Sequence, residues 1–169
     1  LETLDALYTA REEYFDFTFR DPVTVWDAAK TIAQVGRAVP MLIGSLISMR
    51  RDAEQSVPVT MFTPENIVQG SFEWDIKLWD ADEYDGIAME YTEPDTGYLQ
   101  EEVLTYLPDK SSCDHPESVR LTGCQGRNHA YRLALYQLAV KRYIRENISF
   151  TTGLEGLIPG YGDLVAVCH

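Results

Sequence analysis

Arg50-Arg51-Asp52, followed by Phe62-Thr63-Pro64-Glu65-Asn66-Ile67-Val68-Gln69-Gly70-Ser71-Phe72 and an alternating run to Ile76, is the stretch on which the fold turns. A short apolar strand ends in Arg51-Asp52, a crossing is bounded by Pro64 and Gly70, and a patterned strand follows in which Phe72, Trp74, Ile76 and Leu78 alternate with Glu73, Asp75 and Lys77. That period of two predicts a strand with one buried face. The stretch holds no nucleophile beside a base, no metal-ligand spacing and no phosphate loop. It reads as a structural joint, with the crossing setting a hairpin against a main sheet.

Upstream, Val39 to Ile43 and Leu46 to Arg50 are apolar runs joined by Gly44-Ser45, which predicts a hairpin with positive φ at the glycine. Before them, Asp21 is expected to cap a helix with Pro22 in its first turn and an apolar stripe of Val25, Trp26, Ala29, Ile32 and Ala33. Leu1, Leu4, Leu7 and Tyr8 are spaced as on a helix, and Phe15, Phe17 and Phe19 as on a half-buried strand. Downstream, Ile87, Met89 and Tyr91 continue the period of two after the acidic turn Asp80 to Gly86, so this strand is expected to pair with Phe72–Leu78. A turn at Glu93 to Gly97 leads to a third strand over Tyr98–Leu107.

Pro108 to Ser118 is polar and proline-bounded and reads as an exposed loop between lobes. Arg127 to Arg145 lacks helix breakers, and its Ala130, Leu133, Ala134, Tyr136, Leu138, Val140 and Ile144 spread widely enough to imply burial on more than one side. The tail alternates at Ile148 and Phe150, turns through Gly153 to Gly162 and ends in a strand at Leu164–Val167. The fold class is α+β, a mainly antiparallel sheet with two principal helices. The expected segments are a lead-in (1–21), an α+β domain (22–107), the loop (108–118), and a packing helix with the start of another β domain (119–169).

Composition narrows the function. Lys+Arg 14 against Asp+Glu 27 gives a formal charge of −13, which disfavours direct binding of nucleic acid or anionic membrane. No run approaches the roughly 18 apolar residues of a membrane span. Three cysteines, Cys113, Cys124 and Cys168, cannot all pair within the chain. The first residue is Leu, and the chain is expected to be an excised piece of a longer polypeptide.

The chemical candidates each have a plainer reading. Cys113, His115, Cys124 and His129 are zinc-ligand types, but Cys-x-His and Cys-x4-His are not the usual knuckle spacings, so they read as ordinary residues. Asp80 to Gly86 resembles a calcium loop whose third ligand would fall on Tyr84, and reads as a solvated turn. Arg127, Arg132, Lys141, Arg142 and Arg145 concentrate positive charge, with the later ones complementing the carbonyl end of a helix. Trp26, Trp74 and Trp79 suggest a sugar platform, but Trp26 and Trp74 fall at core-facing phases, which leaves Trp79, Tyr98 and Tyr161. No spacing singles out a hydrolytic acid and base. Neither a catalytic residue nor a metal or cofactor ligand is predicted.

Taken in order, these segments resemble the phage tail-protein domain of the host specificity protein J (TipJ) family. The matching residues are the helix from Trp26 to Gly36, Arg51-Asp52, Phe62 to Phe72, the strand ending near Tyr91, Gly123 to Leu138, Phe150 to Leu157, and Pro159-Gly160 to Val167. Carried over as structural motif residues are Arg51, Asp52, Phe62, Pro64, Asn66, Ile67, Ser71, Gly123, Arg127, Arg132, Gly153, Pro159, Gly160 and Asp163. One departure is that Tyr161-Gly162 intervene between Gly160 and Asp163. The resemblance implies a non-enzymatic, virion-borne part of a homotrimeric hub that closes the tail tube, with an inserted α+β domain returning into a barrel-like tube domain. It implies partners among hub subunits and neighbouring tail proteins, with any host receptor bound through regions outside this chain. The rivals are a carbohydrate-binding module and a tail-associated cell-wall hydrolase. The acidic balance would suit the wall of a conduit for DNA, because like charge keeps a polyanion from adhering.

Overall fold

The computed structural model describes residues 2–78 and 84–168. In chain order the helices are α1 (Glu2–Ala10), α2 (Val25–Val35) and α3 (Arg127–Tyr143). The strands are β1 (Ala38–Ile43), β2 (Leu46–Arg51), β3 (Thr60–Phe62), β4 (Glu73–Ile76), β5 (Gly86–Glu93), β6 (Leu99–Tyr106), β7 (Pro116–Gln125), β8 (Glu146–Ser149) and β9 (Val165–Val167). The class is mixed α+β with mostly antiparallel pairing and no closed barrel among the described residues. Two compact units divide the chain, 1–51 with 79–144 and 52–78 with 145–169.

The first unit is built on a three-stranded sheet in the order β6-β5-β7. Ile87, Met89 and Tyr91 on β5 and Val103 on β6 turn one face inward, where Ala130, Leu133, Ala134 and Leu138 of α3 cover them. Those four helix positions make one stripe at helical spacing, and Leu135, Tyr136 and Ala139 beside it are partly buried, so the helix packs over a broad arc. The burial of Ile87 and Met89 is complete, and each such side chain contributes about 2 kcal/mol. The β1–β2 hairpin forms with Ile43 opposite Leu46 across Gly44-Ser45, and Gly44 takes φ +62°, a turn conformation that costs glycine little.

Several expectations are corrected. The strand at 72–78 does not pair with β5, because both edges of β5 are occupied, by β6 antiparallel and by β7 parallel. β4 pairs instead with β8. Residues 80–83 of the expected acidic turn lie outside the described residues. Helix α2 begins later than Asp21: Thr24 is its cap, accepting from the Asp27 N–H at 3.1 Å and donating its hydroxyl to the Asp27 carboxylate at 2.7 Å. This reciprocal closure satisfies a free helix-end donor that Asp21 stands too far away to reach. Of the expected stripe on α2 only Ala33 is buried, and Val25 and Ile32 are exposed.

Phe15–Phe19 is not a strand; it makes one bridge, Phe15 to Cys124, and the Phe17 ring meets Phe15 and Phe19 edge-on while Phe15 and Phe19 stack. The 108–118 segment is shorter as a loop than expected, since Pro116 to Ser118 begin β7 opposite Gly86 to Ala88. It joins strands of one sheet rather than two lobes. Proline fits there, as the first residue of a strand. Asp85 clips the loop, accepting from the Cys113 thiol at 3.0 Å and from the N–H groups of Asp114 and His115.

The second unit contains two short ladders, β3–β9 parallel and β4–β8 antiparallel. Phe62 and Ile67 are its fully buried apolar residues among those described, with Phe62 against Phe150 at a ring separation of 5.0 Å. Trp74, predicted to face a core, is 56% exposed.

Candidate functional site

Two constellations gather the residues singled out from the sequence. In the first unit, Arg51 at the end of β2 reaches Glu13 in the segment after α1, with contacts of 2.5 and 3.2 Å in a bidentate arrangement. Both side chains are almost wholly enclosed. Burial would raise the Glu13 carboxyl, but hydrogen bonds and charge from Arg51 and Arg11 outweigh it and bring its pKa down to about 2. The Arg51 guanidinium lies 5.1 Å from the Tyr8 ring centre, and the Tyr8 hydroxyl donates to the Gly36 carbonyl. Arg132 on α3 donates to the Arg11 carbonyl at 2.5 Å. Strand end, N-terminal helix and α3 are thereby tied at one polar knot.

Gly123 serves the same end. Its φ is +82°, and a Cβ there would stand 2.3 Å from the Phe15 ring, so this residue admits both the turn and the aromatic lid. The Asp16 N–H donates to the Gly123 carbonyl. Arg127 begins α3 on the surface.

In the second unit the Thr63 to Ser71 crossing folds on itself and then onto the 151–152 segment. The Asn66 side chain accepts from the Thr63 N–H at 2.7 Å, while the Asn66 and Ile67 N–H groups return to the Thr63 carbonyl. The Thr152 hydroxyl donates to the Asn66 carbonyl at 2.6 Å, and the Val68 N–H to the Thr151 carbonyl. The Ser71 hydroxyl donates to the Val68 carbonyl and accepts from the Thr151 N–H. The crossing is therefore bound to the 151–152 segment. Pro64 is exposed at its head and Asp52 opens the unit. Further on, Asp163 accepts from the Gly160 N–H, and Gln55 clamps both Gly162 and Leu164. Gly153 and Pro159 frame the turn between β8 and β9.

The chemical candidates disperse. Cys113 faces Asp85, with burial first and the carboxylate next raising its thiol to about 11; burial pushes Cys124 up to about 11 as well. The His129 ring bonds the Val35 carbonyl at 2.9 Å. No three His, Cys, Asp or Glu residues are grouped to hold a metal among the described residues. Trp79 and the acidic positions 80–83 lie outside the described residues. Lys141 pairs with Glu117, and no described helix is long and apolar enough to cross a membrane. Sequence reasoning missed Glu13, Arg11, Tyr8 and Arg37, whose partners lie far along the chain and carry no periodic mark.

These knots hold the strands and helices of each unit in place. Residues 24–169 match the family described as "Putative phage tail protein", and the chain belongs to that family. Over 156 residues it is 25% identical to the tip attachment protein J of Escherichia phage SECphi27, a match that takes in 90% of this chain and 13% of that protein. The tail protein from Neisseria meningitidis MC58 shares the fold, with a TM-score of 0.60 and 16% identity over 99% of this chain and 56% of that one.

Proposed function

We propose that the chain is a structural, non-enzymatic part of a tail-tip hub that closes the tail tube and links it to receptor-binding regions. It works through contacts with other subunits of a homotrimer and with neighbouring tail proteins in the virion. The observation that carries this reading is the apolar face of the β4–β8 ladder. Trp74 and Ile76 are two apart on β4, and Ile148 is the cross-strand partner of Trp74, so all three share one face, together with Glu146 opposite Ile76. They are 56%, 50% and 41% exposed. The opposite face carries Glu73, Asp75, Asn147 and Ser149. A two-stranded ladder is marginal alone and gains stability when its apolar face is covered.

The family membership and the likeness to tip attachment protein J support placing that cover in a tail assembly. In this proposal the first unit is the inserted α+β domain and the second belongs to a tube-like domain. The acidic excess would line the lumen without adhering to DNA; a trimer with its Asp and Glu confined to the outer surface defeats that placement. The test is to place Trp74→Asp and Ile148→Asp in the full-length tail protein and assay purified virions. Loss of the protein from tails, with hydrogen exchange in the first unit unchanged, supports the proposal; normal incorporation and infectivity sink it.

A second reading has one observation in its favour. An open groove of about 910 Å³ is lined by Phe17, Phe19, Tyr98, Gln100 and Asp16, an aromatic and polar mixture of the kind that binds sugars. Saturable glycan-array binding lost in Tyr98→Ala would favour a carbohydrate-binding module.

A further inference from the structure

Beside the knot in the first unit lies a small, partly open space of about 10 Å³ lined by Arg11, Glu13, Val35, Arg37, His129, Arg132 and Leu133. That is room for about one water. Among the described residues, the Arg37 Nε, Arg132 Nε and His129 Nδ1 atoms are buried and have no partner within the protein, and all three residues line this space. His129 itself is only 3% exposed. Leaving such groups unpaired is costly, on the order of 1–3 kcal/mol each.

The roles of the three atoms follow from chemistry. Arginine Nε always bears a hydrogen and can only donate. His129 Nε2 lies 2.9 Å from the Val35 carbonyl, which can only accept, so Nε2 carries the ring proton. Burial lowers the pKa of this ring and keeps it neutral at neutral pH, leaving Nδ1 as an acceptor. The residues lining the space therefore carry two donors and one acceptor that have no partner within the protein.

We propose that it is a binding site for a single structural water, which accepts from Arg37 and Arg132 and donates to His129. A halide or other simple anion answers the two arginines but cannot supply a proton to Nδ1. A water satisfies all three groups with the usual number of bonds for a buried water. It also links the join between α2 and β1, where Arg37 sits, to α3, beside the segment that supplies Glu13.

A crystal structure of the 169-residue chain at pH 7, with a parallel crystal soaked in bromide, tests this directly. The expected result is one ordered oxygen within about 3.2 Å of all three nitrogens, no anomalous bromide peak there, and nitrogen NMR showing the His129 proton on Nε2. A bromide peak at the site, an empty space, or a proton on Nδ1 overturns the proposal. In Arg37→Met the exchange of this water with solvent, read by oxygen-17 relaxation, should quicken at least tenfold; an unchanged residence time in a folded variant also overturns it.

Discussion

Replacing Arg51 with Met strips the buried Glu13 carboxylate of its bidentate partner while keeping most of the side-chain volume. Two contacts of 2.5 and 3.2 Å disappear, as does the guanidinium over Tyr8. Holding the carboxyl at about 2 rather than an ordinary 4.5 corresponds to about 3 kcal/mol of stability at neutral pH. Breaking a buried pair by removing one partner costs about 3–5 kcal/mol, so the two routes agree. Arg11 supplies part of the effect through its 2.7 Å contact with Glu13, so the lower figure is the one expected for Arg51→Met.

The sign is fixed by the direction of the shift. A carboxyl lowered in the folded state contributes fully above about 4.5, and that contribution is lost as pH falls toward about 2. Because the chain has two compact units, a single unfolding midpoint would blend them. Native-state hydrogen exchange at Ile87 and Met89, both fully buried on β5, isolates the first unit. Arg51→Met should lower its opening free energy by about 3 kcal/mol at pH 7 and flatten its pH dependence between about 4.5 and 2. Glu13→Gln with Arg51→Met should cost clearly less than the two singles added together. A loss below about 1 kcal/mol at pH 7, or simple additivity, would mean that the pair behaves like a surface contact and the reasoning fails.

Gly123→Ala should cost about 2 kcal/mol or more in the same exchange measurement, since it meets both a left-handed φ and the Phe15 ring; a loss under about 0.5 kcal/mol contradicts the close approach. Thiol titration of the native chain at pH 8 should label exposed Cys168 rapidly, Cys113 slowly and Cys124 only on unfolding, and fast labelling of Cys124 refutes its burial. Asn66→Ala removes the acceptor for the Thr63 N–H and should cost about 1 kcal/mol, seen as faster exchange at Thr63 and Val68 with Met89 unaffected. Equal acceleration at Met89 would tell against independent units.

Local signals were legible because their causes are local. Gly44-Ser45 between two apolar runs specifies a hairpin, Gly97 closes the turn between β5 and β6, and the breaker-free run from Arg127 specifies α3. Pairings across long separations were not legible. β5 offers the same period of two to any partner, and only the folded chain shows β7 taking the edge that Phe72–Leu78 was expected to fill. Glu13 and Arg51 meet across 38 positions, and neither Glu12-Glu13 nor Arg50-Arg51 marks which member is buried. Thr24 was passed over as a cap because Asp21-Pro22 presents a stronger local pattern; the deciding partner was Asp27.

The expectation for β4 failed in a way that carries information. Alternation correctly placed Trp74 and Ile76 on one face, because the pleat fixes that geometry wherever the strand lies. It could not say what covers the face, since burial depends on the neighbours a sheet acquires. Among the described residues β4 pairs with β8, which adds Ile148 to the same face instead of covering it. Along β4 the apolar Trp74 and Ile76 alternate with Glu73 and Asp75, and across the ladder Ile148 and Glu146 share the face of Trp74 and Ile76. The pattern is that of a core strand, and under the proposed function this exposed face is where a neighbouring tail subunit would complete the core.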